Sequence, residues 1–446
     1  MVTQRSTEKT RGPQRETKMK IVYLITGSGG SFYCGNCYRD MLYVRAIRKV
    51  QGITASAIPL YLPPDKSVAG YGFDKHVFFG AISMYVREKI PGFRRMPDFL
   101  DKLFDAGPML RIAARQAGTT RTEGLEDLTL NMIRGDSAFR EHEVDRLVNY
   151  LNSEGKPDII HLSNALVIGL ARQLKKRMDV RIICSLLNED DWIDEMKEPY
   201  RTRAWEMIAS EAGNVDTFVT PSEYYRDLFI CKTGLKDQNI SIVPIGVETS
   251  AINERKETPA APSIGYLCRM NRMNGFDKIV DSFISLKSRS IRDLTLHVCG
   301  GYTGDDKPFI GIQVKKIKKS GYLDSFIVHP DFDPYAKQKF FESIHMLSVP
   351  VRKYDGYGLY ILESNAARVP VVQPATGAFP EIIKRTGGGI VYSPDSNEEL
   401  SENLQKLFID SNLRNKLALN GHNTVLESYS LDSMSRNLTE VYFNQA

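Results

Sequence analysis

Residues 355–381 read DGYGLYILESNAARVPVVQPATGAFPE, and they are the most informative part of the chain. Asp355 and Glu363 flank a Gly-x-Gly turn and a short helical pattern, and the apolar run 369–372 then predicts a buried strand. If Gly358 opens the helix, its first N–H groups and the positive end of its dipole make a phosphate site. Glu363, just over one turn inside, offers two oxygens to a pair of ribose hydroxyls. Asp355 lies outside the helix, on the far side of the phosphates, and the arrangement suits a nucleotide-sugar.

The same residues resemble the E-x7-E signature of the retaining family 4 glycosyltransferases, which have the GT-B fold. Asp355 and Glu363 take the two acidic positions, with Tyr357-Gly358-Leu359 between them and Gly377-Ala378-Phe379-Pro380-Glu381 after them. The family usually begins Glu-x-Phe-Gly, whereas this chain has Asp355 and Tyr357. The alternative, from the residues alone, is a capped helix that carries two solvated carboxylates.

The resemblance implies an α/β fold of two doubly wound Rossmann-like domains that face each other across a cleft, with a C-terminal helix crossing back to the first domain. It implies a hexosyltransferase-like enzyme that moves a sugar, with retention, from a UDP- or GDP-linked donor to a glycan, lipid-linked or small-molecule acceptor. No cofactor besides the donor and no metal is expected, because side-chain cations and helix dipoles do the work of the ion in this fold.

The chain divides into segments of different character. We expect a disordered arm over 1–18, an N-terminal Rossmann-like acceptor domain over 19–246, a C-terminal nucleotide-sugar domain over 247–428, and a returning helix over 429–446. A helical insertion at about 72–150 is expected within the first domain.

Composition is that of an ordinary globular protein. The chain has 446 residues, 42% hydrophobic and 25% charged, which is enough for two or three domains. A net charge of +5 is far from the dense basic signature of a nucleic-acid binder. No apolar run approaches the length of a membrane span and no hydrophobic leader precedes the fold, so we expect a cytoplasmic protein with reduced thiols.

A glycine loop follows the first predicted strand. The apolar run Ile21–Ile25 ends in Gly27-Ser28-Gly29-Gly30, and a helical pattern follows, which is the opening of a doubly wound domain. The dinucleotide fingerprint is incomplete because its sixth position is Phe32. By the resemblance, Gly29 and Gly30 face the cleft beside the sugar and phosphates of the donor; a simple tight turn is the alternative.

The first loop of the second domain departs from the family. Members commonly show Gly-Arg-Leu followed by Lys-Gly, and the Arg and Lys neutralise the donor diphosphate. This chain keeps Arg269 and Gly275, but Asn274 stands at the lysine position. Either Arg272, two residues earlier, supplies the missing cation, or the activity is weakened.

Other residues are compared with the family pattern. His161 resembles the first histidine of a strand-end His-x-His, with Ser163 at the second position, and either hydrogen-bonds the transferring sugar or is structural. The run 188–192, Asn-Glu-Asp-Asp-Trp, binds acceptor hydroxyls, supplies acid/base groups or forms a solvated loop. Asp331-Phe332-Asp333 superficially resembles a metal-binding Asp-x-Asp, which we do not expect here. The donor-binding set implied by the resemblance is Gly29, Gly30, Arg269, Arg272, Asn274, Gly358, Leu359 and Glu363, and the catalytic set is Asp355, Arg269 and His161.

Two further features leave alternatives open. The stretch from Tyr85 to Arg115 alternates aromatic and basic side chains, and it either covers the N-terminal sheet or contacts anionic lipid as a peripheral membrane surface. Cys34 and Cys37 form a CxxC at the start of the first helix, as a redox pair or as packing thiols. Beside the glycosyltransferase interpretation stands a catalytically weak or inactive GT-B protein that binds a nucleotide-sugar, motivated by Asn274 and Asp355.

Overall fold

The computed structural model describes residues 19–26, 35–60, 122–135, 141–236, 239–249, 252 and 258–444. Several predictions fall on residues outside these ranges. They concern the arm 1–18, Gly29 and Gly30, Cys34 of the CxxC pair and the basic stretch 85–115.

The N-terminal half contains a six-stranded parallel sheet in the order β2-β1-β3-β4-β5-β6. Strand β1 pairs in parallel with β2 on one side and with β3 on the other, so the chain reverses direction across the sheet at β1. Most side chains of these strands are buried, as expected where helices cover both faces. The strands are β1 Met19–Ile25, β2 Ile53–Pro59, β3 Ile159–Leu162, β4 Arg181–Ser185, β5 Thr217–Thr220 and β6 Ile240–Ile242.

The C-terminal half contains a second six-stranded parallel sheet, in the order β12-β11-β10-β7-β8-β9. The strand order reverses between β7 and β10, which are paired, and in doubly wound sheets ligands bind at the carboxyl ends of strands at such a switch point. The strands are β7 Ser263–Leu267, β8 Thr295–Cys299, β9 Phe326–Val328, β10 Met346–Leu347, β11 Val371–Pro374 and β12 Gly389–Tyr392.

Helices connect the strands of both sheets. In the N-terminal half they are α1 Gly35–Arg48, α2 Glu126–Arg134, α3 Glu141–Ser153, α4 Gly169–Lys175, α5 Glu189–Ile193, α6 Tyr200–Glu211 and α7 Glu223–Thr233. In the C-terminal half they are α8 Phe276–Arg289, α9 Lys307–Lys319, α10 Pro334–Glu342, α11 Leu359–Ala366, α12 Phe379–Thr386, α13 Asn397–Ile409, α14 Ser411–Ser428 and α15 Leu431–Phe443. None of the helices in these ranges combines the length and the apolar composition that a bilayer crossing requires.

Helix α8 shows why these segments are helical and where they pack. Phe276, Ile279, Val280 and Phe283 recur at the three- and four-residue spacing of one helix face, and all four are fully buried. Burying each such side chain contributes about 1.5–3 kcal/mol relative to leaving it in water. The helix therefore fixes the position of the loop 268–275 that precedes it.

The last helix, α15, packs on the N-terminal half, as predicted. The Tyr442 hydroxyl lies 2.5 Å from the Tyr23 hydroxyl on β1 and 2.8 Å from His161 Nδ1 on β3. Arg181 Nη1 donates to the Tyr442 carbonyl at 2.9 Å. This helix therefore completes the core of the half to which it does not belong in sequence.

The two chain crossings between the halves lie side by side. Val247 N donates to the Tyr429 carbonyl at 2.8 Å, and Val247 pairs with Ser430 in a parallel bridge. The approach requires a glycine, because a Cβ on Gly246 would lie 2.4 Å from the Ser430 carbonyl oxygen. Tyr357, in the turn 355–358, donates a hydrogen bond to the Ile245 carbonyl, so this turn is held to the same crossing.

Candidate functional site

A cleft of about 650 Å³ lies between the two halves, at the carboxyl ends of the strands. From the C-terminal half it is lined by residues after β7 and after β10, the two strands at the switch point. From the N-terminal half it is lined mainly by the segment after β4, at Leu187–Glu195. The predicted site residues that line this cleft are Arg269, Asn274, Asp355, Gly358 and Leu359.

The turn 355–358 has the form that the sequence predicts. Gly358 caps α11 with a φ of +69°, a left-handed conformation that glycine adopts without strain. Asp355 Oδ1 accepts hydrogen bonds from Tyr357 N at 2.9 Å and Gly358 N at 3.0 Å. The Asp355 carboxylate therefore holds the turn closed, and the same side chain lines the cleft.

The second part of the motif supports the first. Ala378 N donates to the Asp355 carbonyl at 2.9 Å. Gly377 is needed at this contact, because its φ is +56° and a Cβ there would lie 2.2 Å from the Asp355 carbonyl oxygen. The spacing between Asp355 and Gly377 is thus set by this backbone contact, which lies just after the carboxyl end of β11.

Glu363 lies away from the main cleft, in a buried ion pair with Lys337 of α10. Both side chains are 2% exposed, and both line a small separate cavity with Tyr38 and Leu42 of α1. Lys337 Nζ also lies 3.3 Å from the Tyr38 hydroxyl and 4.4 Å from the centre of its ring. Burial lowers the Lys337 pKa, but the Glu363 carboxylate outweighs it and the net pKa is raised. Ribose binding by Glu363 stays a prediction, and it requires exchange of this partner.

Arg269 is fixed at the edge of the cleft by two acceptors. Its Nε donates to Asp306 Oδ2 at 2.7 Å, and its Nη2 donates to Thr303 Oγ1 at 2.8 Å. Asn274 is 7% exposed and donates from Nδ2 to the Arg269 carbonyl at 3.0 Å. The amide at the family lysine position thus holds the backbone of the arginine loop.

The placement of Arg272 argues against the expected compensation. Arg272 is exposed and is absent from the described residues that line the cleft. Its carbonyl accepts a 2.6 Å hydrogen bond from Arg352, which in turn pairs with Asp277 on the outer side of α8. In this structure the Arg272 side chain thus lies outside the cleft lining, and its role as a replacement for the missing lysine stays a prediction.

Lys353 is a cleft residue that the sequence analysis missed. It lines the cleft, forms an ion pair with Asp191 across the two halves, and stands two residues before Asp355. Burial lowers its pKa, whereas Asp191 and Asp355 raise it more, so the net pKa is well above that of an ordinary lysine. The sequence feature that could have indicated Lys353 is its position two residues before Asp355, the first acidic residue of the motif. The missing cation was sought only in the loop 265–275.

His161 occupies a structural position. Its side chain is 1% exposed, with Nδ1 2.8 Å from the Tyr442 hydroxyl and Nε2 2.8 Å from Ser185 Oγ. Burial lowers its pKa to about 3, with a smaller contribution from Arg39, so the ring stays neutral. Both ring nitrogens are occupied and His161 does not line the cleft, so the catalytic role expected for it is corrected to the structural alternative.

The segment after β4 presents carboxylates to the cleft rather than forming a solvated loop. Glu189 is 1% exposed and anchors α5, accepting from Ala165 N at 3.0 Å, Leu187 N at 2.9 Å and the Tyr225 hydroxyl at 2.6 Å. Asp190 is 8% exposed and lines the cleft, and its Oδ1 is buried with no hydrogen-bond partner among the described residues.

The pKa of the Asp190 carboxyl lies close to neutral pH. Burial raises its pKa to about 7, the charge of Asp191 and a smaller contribution from Glu189 add to the rise, and a hydrogen bond with Tyr225 opposes it. The titratable groups that act on it are Glu189 and Asp191 on α5 and Tyr225 on α7. The Asp190 charge acts in turn on Tyr224 of α7, and Lys353 and Asp355 act on the neighbouring Asp191.

The Asp331-Phe332-Asp333 run has a local structural role. Asp333 caps α10, accepting from Tyr335 N at 2.8 Å and Ala336 N at 3.0 Å. Across the parts of the chain that the structure describes, no cluster of three or more His, Cys, Asp or Glu side chains has the arrangement of a metal site.

Comparison with protein families matches the chain to two adjacent domain types. Residues 130–251 match the family "Glycosyltransferase Family 4", and residues 249–424 match the family "Glycosyl transferases group 1". The boundary between the two matches falls at the chain crossing near Val247. The group 1 match covers all six strands of the second sheet, whereas the family 4 match covers β3 to β6 of the first sheet. Each match includes segments that line its side of the cleft.

Relatives and a solved structure extend the comparison. The chain is 25% identical to the lipopolysaccharide core biosynthesis mannosyltransferase LpsB of Rhizobium meliloti, over 41% of the chain and 52% of that protein. It is 23% identical to the GDP-mannose-dependent alpha-(1-6)-phosphatidylinositol monomannoside mannosyltransferase of Mycobacterium tuberculosis, over 52% of the chain and 62% of that protein. The matched segments thus span less than two thirds of either relative. Anabaena HepE, solved in complex with UDP, has the same fold, with a TM-score of 0.68 and 11% identity over 95% of this chain and 99% of that one.

Proposed function

Because the chain belongs to the GT-B glycosyltransferases, joining a family 4 domain to a group 1 domain, we propose that it transfers a sugar, with retention, from a nucleotide-sugar to an acceptor hydroxyl. One observation carries this proposal. A single cleft brings the glycine turn at 355–358 and the cations Arg269 and Lys353 together with the carboxylates of α5. The first group suits a diphosphate and the second suits hydroxyls.

The donor would bind on the C-terminal wall. The turn at Gly358 directs the first N–H groups of α11 at the switch point, where a phosphate is stabilised by the helix dipole. HepE was solved with UDP, and the mycobacterial relative is GDP-mannose-dependent, which supports a UDP- or GDP-linked sugar as donor. Glu363 would hold the ribose once the nucleotide displaces it from Lys337.

Positive charge for the leaving diphosphate would come from Lys353. Arg269 already shares its guanidinium with Asp306, so its charge is largely compensated within the domain. Lys353 pairs instead with Asp191 of the opposite wall, a partner that a bound diphosphate can replace. We assign to Lys353 the role of the lysine that the family has at the position of Asn274. Lys353, with a smaller contribution from Arg269, would support transfer without a metal.

The chemistry then needs no protein nucleophile. The bond from the anomeric carbon to the diphosphate oxygen breaks, and the acceptor oxygen bonds to that carbon on the same face. The acceptor proton passes to the departing diphosphate oxygen, whose growing negative charge Lys353 and Arg269 stabilise. Asp355 would position the sugar from the turn that it closes.

A screen of UDP-, GDP- and ADP-sugars tests this proposal. With one donor, the wild-type protein should release free nucleoside diphosphate slowly alone and faster with an acceptor, and NMR should show retained anomeric configuration. The alternative is a GT-B protein that binds a nucleotide-sugar without turnover, favoured by the amide at Asn274. Tight calorimetric binding of a nucleotide-sugar with no release of nucleotide would select that alternative, and no binding would reject both.

A further inference from the structure

Within the proposed function, on which this inference rests, we propose that α5 and its flanks bind an uncharged, polyhydroxylated acceptor, the end of a sugar or glycan, with Asp190 accepting a hydrogen bond from its hydroxyl. The surface concerned, here called the acceptor wall, consists of Asp190, Asp191, Trp192, Asp194 and Glu195. It faces the donor turn across the cleft.

Asp190 is built for a ligand rather than for the fold. Its Oδ1 is buried without a hydrogen-bond partner among the described residues, and the residue borders the open cleft. A buried acceptor left unpaired is unfavourable, and after a rotation of the carboxylate toward the cleft a hydrogen bond donated by a ligand hydroxyl removes that penalty. Glu189, one residue earlier, accepts hydrogen bonds from three donors, and these bonds hold this segment in place.

The charge of the acceptor wall selects against an anionic acceptor. Four carboxylates of the N-terminal half line the cleft, and in the described ranges this half contributes no lysine or arginine to that lining. The two neighbouring cations are already paired, Lys232 with Asp194 at 2.6 Å and Lys353 with Asp191. These pairs compensate Asp194 and Asp191, but among the described residues Asp190 and Glu195 have no ion-pair partner, so the wall keeps an excess of negative charge. That excess disfavours a phosphate or carboxylate on the acceptor, whereas hydroxyls would find acceptors.

An aromatic side chain completes the wall. Trp192 is half-buried, lines the cleft, and is held by a 3.0 Å hydrogen bond from its Nε1 to Thr129 Oγ1. A fixed indole offers a flat apolar surface to the C–H face of a pyranose ring beside the carboxylates that bind its hydroxyls. Carboxylates next to a held aromatic ring fit a sugar better than a lipid phosphate.

The wall lies close to the position of the donor. Gly356 N donates to Asn188 Oδ1 at 3.0 Å, and Ser222 Oγ donates to the Gly356 carbonyl at 2.8 Å. These bonds hold the starts of α5 and α7 against the turn that Asp355 closes. A hydroxyl on Asp190 is therefore presented toward the side of the cleft where the donor sugar would lie.

The experiment uses the donor identified by the nucleotide-sugar screen. Transfer from it is measured to methyl α-mannoside and methyl α-glucoside, to their 6-phosphates, and to phosphatidylinositol in vesicles. We expect transfer to a neutral glycoside at least tenfold faster than to its phosphate. Equal or faster transfer to the phosphates or to the lipid overturns the inference, as does donor hydrolysis without transfer to either neutral glycoside.

Variants separate acceptor binding from other roles of Asp190. Asp190→Asn should raise the acceptor KM at least tenfold while the nucleotide Kd and the acceptor-independent hydrolysis of the donor stay within twofold. Glu206→Gln, an exposed carboxylate on the next helix, is the matched control and should change neither. An equal fall in hydrolysis and transfer in Asp190→Asn would assign the residue to the donor and refute the proposal. If wild type processes no donor at all, the proposed function itself fails, which is a distinct result.

Discussion

Replacing Lys353 with Met should lower kcat/KM for the donor by roughly 10- to 150-fold. Two unit charges about 4 Å apart interact by about 4 kcal/mol at the effective dielectric constant of about 20 typical of protein surfaces. Part of this is lost, because the Lys353 side chain is 29% exposed and must leave Asp191 to meet the diphosphate. A net contribution of about 1.5–3 kcal/mol, that of a charged hydrogen bond, gives the stated range.

The assay is release of nucleoside diphosphate at varied donor concentration, with calorimetry of the nucleotide alone. If Lys353 meets the charge that grows on the leaving group, kcat should fall more than the nucleotide Kd rises. Arg272→Met removes an exposed cation outside the cleft and is the matched control, with an expected change below twofold. A melting temperature within a few degrees of wild type shows that the fold is intact.

Two further substitutions test the role assigned to Lys353. Asn274→Lys restores a cation at the family position and should recover at least half of the lost free energy in the Lys353→Met background. Asp191→Asn should tighten nucleotide binding, because the lysine then has no competing carboxylate. If Lys353→Met were fully active, or if Arg272→Met were equally impaired, the assignment of Lys353 would be wrong.

Four further predictions concern the core, the acceptor wall, the chain crossing and the basic stretch. Glu363→Gln should lower the free energy of unfolding by about 3–5 kcal/mol, because it leaves the buried Lys337 charge without its carboxylate. Adding Lys337→Met should restore the melting temperature but not the affinity for the nucleotide. Unchanged nucleotide affinity in the single and the double variant would show that Glu363 does not bind the ribose. Asp190 is protonated below its pKa of about 7 and ionised above it, so the acceptor KM should fall as pH rises through about 7, and Asp190→Asn should abolish that step. Gly246→Ala should cost about 1–3 kcal/mol by overpacking against Ser430, which urea unfolding would reveal, whereas Gly213→Ala, with no atom within 4 Å of its added Cβ, should cost little. Residues 85–115 should pellet the protein with anionic vesicles at low salt but not at high salt, and no pelleting at low ionic strength would favour a soluble acceptor.

The local parts of the site are predictable from sequence. Gly358 needs a left-handed conformation at the start of α11, and Gly377 needs close contact with the Asp355 backbone, so the spacing of these residues carries the geometry directly. The alternating strand and helix patterns predict two doubly wound sheets, because the periodicity of each segment is likewise local. Each of these inferences depends on contacts within a few residues or on periodicity.

The contacts that sequence patterns do not predict join distant segments. Lys353 meets Asp191 only because the two halves face each other, and Glu363 meets Lys337 only because α10 packs beside α11. His161 was compared with a strand-end motif, but α15 covers it with Tyr442, which lies 281 positions further along the chain. A pattern of residue types cannot specify which charge finds which partner across such separations.

The paired crossing at Val247 and Ser430 limits how the cleft can open. Since both covalent links between the halves pass through one place, relative motion reduces to rotation about that place, and sliding of one half along the other would break the parallel bridge. Ile245, next to the crossing, lines the cleft, so opening widens the cleft most on the side away from it. The Lys353–Asp191 pair and the Gly356–Asn188 hydrogen bond join the two halves across the cleft. A diphosphate that takes Lys353 from Asp191 therefore also removes one of the ties between the halves, which couples donor occupancy to the angle between the domains.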